Sequence, residues 1–376
     1  MQDIHELFSL MVKKEASDLF LTCGAPPHVK INGITHPVKT GILEPGEVKQ
    51  MAYEIMTDRQ TSDFEETFEA NLSVSVSGLA RFRINVYYQR GEVALVARLI
   101  KSKIPSFTQL GLPKPCGDLV MLKRGLVLVV GAAGSGKSTT LAAMIGHRSE
   151  HVDGHILTIE DPIEFLFPHK RSLVDQREVG IDTKTFDDAL VNAMREAPDV
   201  IMIGEIRNVE TAKHAIAYAE TGHLCLATMH ANNANQAIER ILNFFPEQAH
   251  KQLLLDLSLN LKGVVAQRLV PSIDGDRALC TELLLLSSHI SDLIQHGRVD
   301  EIRDAMGKGN ESGMHTFDQM LFNLYESGRI TLETALHNAD SHTNLALRIR
   351  LSEKHSTDDA PSLQIDAEGA RFPEDH

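Results

Sequence analysis

The 376-residue sequence predicts an α/β protein in two parts, a small N-terminal α+β unit and a larger unit built on a parallel sheet. Three observations carry that prediction. Apolar runs of the buried-strand type recur at 126–130, 156–159, 200–203 and 224–227 with helical periodicity between them, the alternation that builds parallel sheets. In the first part of the chain the dominant period is two, the mark of half-buried strands. Between the two patterns lies an aperiodic stretch holding Pro105, Pro113 and Pro115.

In chain order, Ile4, Leu7, Phe8 and Met11 occupy one face of a first helix. Strands follow at 18–21, 28–31 and 34–38. The last two are joined by Asn32-Gly33, a hairpin signal because both residues tolerate positive φ. Val48, Met51, Ala52 and Ile55 mark a second helical face. Residues 72–76, 81–88 and 92–100 then alternate as strands, so residues 1–102 read as a sheet with helices on one side. Residues 103–116 are expected to be a linker and 117–345 the larger unit. Within it a helix is predicted over 185–196, where Ala189, Leu190, Ala193, Met194 and Ala197 share a face. Another starts near Asn208, a suitable N-cap. After residue 245 the pattern is mostly helical, with one strand candidate at 280–286. Residues 346–376, polar at the end and holding Pro361 and Pro373, are expected to form a disordered tail.

Composition excludes several classes. The chain carries 37 basic and 51 acidic residues, a net charge of −14, whereas a protein that tracks phosphate backbones presents a basic stripe. Trp is absent and aromatics make up only 5%, so a platform of stacked rings is disfavoured, and no nucleic-acid partner is expected. Cys23, Cys116, Cys225 and Cys280 are far apart, which gives neither a zinc ribbon nor a disulfide scaffold. The charged N-terminus is no signal peptide, and no apolar run approaches the ~18 residues of a membrane span. A soluble, cytosolic protein is expected.

The strongest chemical signal is Gly131-Ala132-Ala133-Gly134-Ser135-Gly136-Lys137-Ser138, the pattern G-x-x-x-x-G-K-[ST] between a predicted strand and a predicted helix. Glycines there let consecutive backbone N–H groups turn toward phosphates, Lys137 reaches the β- and γ-phosphates, and the Ser138 hydroxyl ligates Mg²⁺. Hydrolysis also needs carboxylates. Two acidic clusters supply them at apolar strand ends, Glu160-Asp161-Pro162-Ile163-Glu164 and Gly204-Glu205-Ile206-Arg207. One acid would hold the metal shell and another would orient or deprotonate water. His223 and His230 bracket the run 224–227, and no third ligand at useful spacing supports a metal site. Arg83 and Arg98, in the last two strands of the first unit, matter only if that unit reaches the nucleotide.

These motifs together resemble a known family. Residues 131–139, Ile159-Glu160-Asp161-Pro162-Ile163-Glu164, 199–207 and 221–230 are similar to the Walker A, Asp box, Walker B and His box of the secretion-superfamily ATPases. Within these, residues 1–340 resemble the type IV pilus retraction (twitching-motility) ATPases, whose first domain carries a segment like Ala16-Ser17-Asp18-Leu19-Phe20-Leu21 with Pro26-Pro27. The four-cysteine insertion usual in extension and secretion ATPases is missing. The family's Ala-Ile-Arg motif stands here as Ser288-His289-Ile290-Ser291-Asp292-Leu293, without the arginine, and with Gly204-Glu205-Ile206-Arg207 and Asp256-Leu257-Ser258-Leu259-Asn260-Leu261-Lys262 the chain resembles the accessory PilU type more than the principal PilT type.

The resemblance implies a PAS-like α+β domain followed by a RecA-like ATPase domain, in a hexameric ring that binds ATP and Mg²⁺. It places Glu164 at the catalytic-base position and Glu205 at the Walker B acid, which holds Mg²⁺ through water beside Ser138. Gly131 to Thr139 would bind the nucleotide, Arg83 and Arg98 would contact its phosphates, and His223 and His230 would couple nucleotide state to domain position. It further implies work at the cytoplasmic face of the inner membrane with a platform protein and a principal retraction ATPase. The alternatives are a nucleotide-binding scaffold with little hydrolysis, a pilus-extension or secretion ATPase, and a RecA-like DNA translocase.

Overall fold

A computed structural model describes residues 3–308 and 313–357. Two sheets organise them. The first is six-stranded and antiparallel, formed by β1 (Asp18–Leu21), β2 (His28–Ile31), β3 (Ile34–Pro37), β4 (Glu69–Val76), β5 (Ala80–Gln89) and β6 (Glu92–Leu99), in the order β3-β2-β1-β6-β5-β4. Asn32 and Gly33 turn the β2–β3 hairpin at φ 50° and 81°, as their pairing foretold. Strand alternation splits this sheet into two faces. Phe82, Ile84 and Val86 of β5 point inward to a core shared with Ile4, Leu7, Phe8 and Met11 of the first helix, and Phe8 stacks on Phe82 at 4.3 Å between ring centroids. Ser73, Arg81, Arg83 and Arg98 alternate with the core-facing residues and give the other face its polarity.

The second sheet comprises β7 (Gly125–Val130), β8 (Gly154–Glu160), β9 (Ser172–Glu178), β10 (Val200–Ile203), β11 (Leu224–Met229), β12 (Leu261–Pro271) and β13 (Arg277–Leu285), in the order β13-β12-β7-β11-β10-β8-β9. All its pairings are parallel except β12–β13. Every residue of β7 is buried because both faces are covered. Leu126, Leu128 and Val130 enter one core, and Val127 and Val129 enter the other with Leu141, Met144 and Ile145 of the helix Lys137–His151. Each such Leu or Val side chain contributes roughly 1.5–3 kcal/mol by leaving water. Asn208 caps the helix Val209–Glu220 in a reciprocal capping box with Thr211, as the sequence suggested.

The structure corrects several expectations. A helix Asp58–Thr67 and the edge strand β9 were not foreseen. Residues 103–116 are not uniformly irregular, since Phe107–Leu110 and Lys114–Val120 are helical. The helix expected over 185–196 is Phe186–Ala193 followed by a 3₁₀ turn, and Met194 and Ala197 turn outward from the buried face of Ala189, Leu190 and Ala193. The region after 245 holds two long strands, not one. Residues 346–357 continue the helix His342–Thr357, burying Ile349, so the tail expectation fails there, and the rest of it, 358–376, lies outside the described residues. No described helix is long and apolar enough to cross a membrane.

Candidate active site

The phosphate-binding loop follows β7 and runs into the helix Lys137–His151. Gly131 sits at φ 156°, and a Cβ there would lie 2.4 Å from Ser135 Oγ and 2.6 Å from the Gln267 carbonyl, so only glycine fits. Gln267 of β12, itself buried, donates from Nε2 to the Ser135 carbonyl at 2.6 Å and supports the loop from below. Lys137 Nζ donates to the carbonyls of Gly131 (3.0 Å) and Ala132 (2.9 Å). Desolvation lowers the Lys137 pKa, while the charges of Glu205 and Glu164 pull it back up. Free backbone amides and the positive end of a 15-residue helix dipole thus face one spot, the arrangement that binds anions.

Both acidic strand ends reach that spot. A cleft of about 420 Å³ is lined by Lys137, Ser138, Glu160, Glu164, Glu205 and His230, with Ala133, Gly134, Gly136 and Thr139 completing the loop side. Parallel strands β8 and β10 end side by side, and at Gly204 a Cβ would meet the Ile159 carbonyl at 3.1 Å, so the two ends approach closely. Glu205 accepts from Arg207 Nε at 2.9 Å and lies 3.3 Å from His230 Nε2. Arg207 also reaches Asp161 at 3.1 Å, tying the β10 end to the β8 end. Glu160 is buried, accepting from Thr158 Oγ1 at 2.7 Å and Gln176 Nε2 at 3.1 Å, and burial pushes its carboxyl up to about 7. A hard-oxygen set of this kind suits Mg²⁺, which binds through one or two protein oxygens plus substrate phosphates and needs no all-protein cage.

An adjoining cleft of about 270 Å³ is lined by Arg83, Arg98, Thr139 and Glu164. Because Thr139 and Glu164 line both clefts, the arginines open onto the same space as the loop. Arg83 and Arg98 are direct cross-strand partners, a like-charge pairing that an anion would relieve. Arg98 is meanwhile balanced by Asp18 at 2.8 Å.

Not every expected residue converges. His223 sits at the opposite end of β11 from His230, about 20 Å away by strand rise, with its carbonyl accepting from Gly125 N–H. It is therefore outside the cleft. Ser135 is buried beneath the loop, and Gly131 and Ala132 line a neighbouring hollow beside His230. Sequence reasoning missed Gln267, Arg207 and Gln176. The apolar run Gly263-Val264-Val265-Ala266 just before Gln267 was the available signal for a buried strand there.

The chain is similar to known proteins along most of its length. The model of the family "Type II/IV secretion system protein" matches residues 1–343. The type IV pilus ATPase PilU of Pseudomonas aeruginosa is 50% identical over 362 residues, covering 96% of this chain and 95% of the relative. The type IV pilus retraction ATPase PilT of the same organism is 40% identical over 337 residues, covering 90% and 98%. A crystal structure of the pilus retraction motor PilT with bound ADP superposes with a TM-score of 0.86 at 42% identity, covering 92% of this chain and 100% of that one. The chain thus belongs to the type II/IV secretion system protein family, among its PilT/PilU-type pilus retraction ATPases.

Proposed function

We propose that this chain hydrolyses Mg²⁺-ATP as a subunit of a hexameric ring that powers or assists type IV pilus retraction, in the accessory PilU-type role. The observation that carries the reading is convergence: carboxylates from two separate strand ends and the lysine of the phosphate loop line one cleft. Relatives named as a type IV pilus ATPase and as a type IV pilus retraction ATPase point the same way.

The residues divide the work as follows. The backbone amides of Ala133, Gly134 and Gly136 to Thr139, with the Lys137 side chain, hold the phosphates and neutralise their charge, while Gly131, Ala132 and Ser135 shape the loop beneath them. Ser138, and Glu205 through water, would hold Mg²⁺, which when bound offsets charge on the β- and γ-phosphate oxygens. Glu164 accepts a proton from the attacking water and orients it in line with the breaking bond. Arg83 and Arg98 bring positive charge from the N-terminal sheet, so that closing the two domains and completing the site are one event. His230, already beside Glu205, reports that event to β11, whereas His223, remote from the cleft, keeps a coupling role only through the strand between them. The partners proposed are further copies of this chain, an inner-membrane platform protein and a principal retraction ATPase, at the cytoplasmic face of the membrane.

The test is to measure oligomeric mass and phosphate release together, with and without Mg²⁺-ATP. A nucleotide-dependent ring that releases phosphate is expected. A monomer with no turnover, alone or mixed with a PilT-type ATPase, would contradict the proposal.

A further inference from the structure

The polar face of the N-terminal sheet meets the nucleotide-binding domain at a buried carboxylate. Glu178, the last residue of β9, is only 3% exposed. Its oxygens accept from Ser73 Oγ of β4 at 3.2 and 3.4 Å and lie 3.7 Å from Arg81 Nη2 of β5. The residue is rigidly mounted. Its N–H donates to Asp182 Oδ2 at 2.9 Å, and its carbonyl accepts from the amides of Ile181, Asp182 and Thr183 in the tight turn that follows. Ser73 is the direct cross-strand partner of Arg83, and Arg81 lies two residues before Arg83 on the same face. Whatever fixes Ser73 and Arg81 therefore fixes the origin of the Arg83 side chain. The chain leaving β6 adds a second anchor, since Lys101 bridges Phe165, next to Glu164, and accepts from Leu166 N–H at 3.0 Å.

We propose that Glu178 is a positioning residue for ATP hydrolysis: it docks the arginine-bearing face of the N-terminal sheet, through Ser73 and Arg81, so that Arg83 stands across the cleft from Glu164. This rests on the reading of Arg83 as a phosphate contact. The docking is built for release as well as for closure. A carboxylate buried at this depth is tolerable only while its partners stay in place, so lifting the sheet exposes it to water and costs little beyond the lost contacts. Glu178 registers beside Glu160 across β8 and β9, so the dock and the cleft wall are neighbouring strand ends. A displacement of either sheet reaches both.

The experiment uses the full chain with Glu178→Ala, the milder Ser73→Ala, Arg83→Ala and the double variant Glu178→Ala/Arg83→Ala. Steady-state ATP hydrolysis and backbone amide exchange over 71–85 and 178–183 are read for each. Glu178→Ala is expected to lower kcat/KM by about tenfold or more, since a small misplacement of a charged group has effects of that order. Exchange should quicken in both segments, and Ser73→Ala should move both readouts the same way by less. In the Arg83→Ala background, Glu178→Ala should add less than about a twofold loss, because the two act as a unit. Equal losses in both backgrounds, or unchanged exchange in Glu178→Ala and Ser73→Ala, would overturn the proposal. Full turnover by Arg83→Ala alone would overturn the phosphate role beneath it instead.

Discussion

Individual side chains at the cleft are under opposing demands, and Glu160 shows this most clearly. Its carboxyl is buried where a negative charge is costly, and three donors ease that cost without removing it: the Thr158 hydroxyl, the Gln176 amide and the Glu164 backbone N–H. An acid whose pKa rises on folding holds more protons folded than unfolded. Stability from this group is therefore present below the ordinary carboxylate range and lost as pH climbs to about 7. Glu160→Gln removes that dependence. Relative to the parent, the variant should gain roughly 1–3 kcal/mol of stability between pH 5 and pH 8, read as a difference in melting temperature that widens with pH. A constant difference would mean that Glu160 does not titrate in this window. Lys137 sits under a similar tension, since it caps its own loop carbonyls beside two carboxylates, and incoming phosphates would exchange those carbonyls for a stronger, charge-assisted partner.

Among the elements, β12 carries two duties that its sequence disguises. Gln267 faces the phosphate loop, and its neighbour Arg268 points the other way. Arg268 pairs with Asp340 at 2.7 Å and lies over the Phe317 ring at 3.9 Å, which ties the C-terminal helices to the sheet. Gln267→Ala leaves the Ser135 carbonyl without its donor and should cost about 1–3 kcal/mol of stability. It should also weaken nucleotide binding by about tenfold as the loop loses its support. Calorimetric titration with ADP checks this, and unchanged affinity would deny β12 that role. The same strand explains what was legible in the sequence. Strands with simple alternation, such as β5, and the fully apolar β7 announced themselves. So did the phosphate loop and both acidic clusters, because glycine, lysine and carboxylate chemistry is local. The strand β12 was hidden because Gln267, Arg268 and Lys262 interrupt its apolar run, and β9 because an edge strand with Asp175, Gln176, Arg177 and Glu178 reads as loop. The misjudged end of the helix at Ala193 follows from Ala197, which takes φ 50° and breaks a pattern that periodicity alone extends. His223 was grouped with His230 because the resemblance to a His box gives both one role, although the strand they bracket holds them at opposite ends.

At the level of the whole molecule, the two sheets bring opposite charges to adjoining clefts. The N-terminal sheet offers Arg81, Arg83 and Arg98, and the second sheet offers Glu160, Glu164, Glu178 and Glu205. Of these groups only Arg81 and Glu178 pair directly, at 3.7 Å, and Arg98 is held by Asp18 of its own sheet. On the proposed reading, a polyphosphate entering between the sheets would engage Arg83 and Arg98 and draw the N-terminal sheet toward the phosphate loop. Such binding also stabilises the fold by mass action, about 2.7 kcal/mol at a hundredfold excess over Kd, so Mg²⁺-ATP should raise the melting temperature of the parent and leave Lys137→Ala unmoved. Most directly, ATP binding and single-turnover phosphate release should be measured side by side in the parent, Lys137→Ala and Glu164→Ala. The account predicts that Lys137→Ala loses binding, whereas Glu164→Ala binds normally and hydrolyses about 10²-fold or more slowly. Parent-like phosphate release by Glu164→Ala would contradict it.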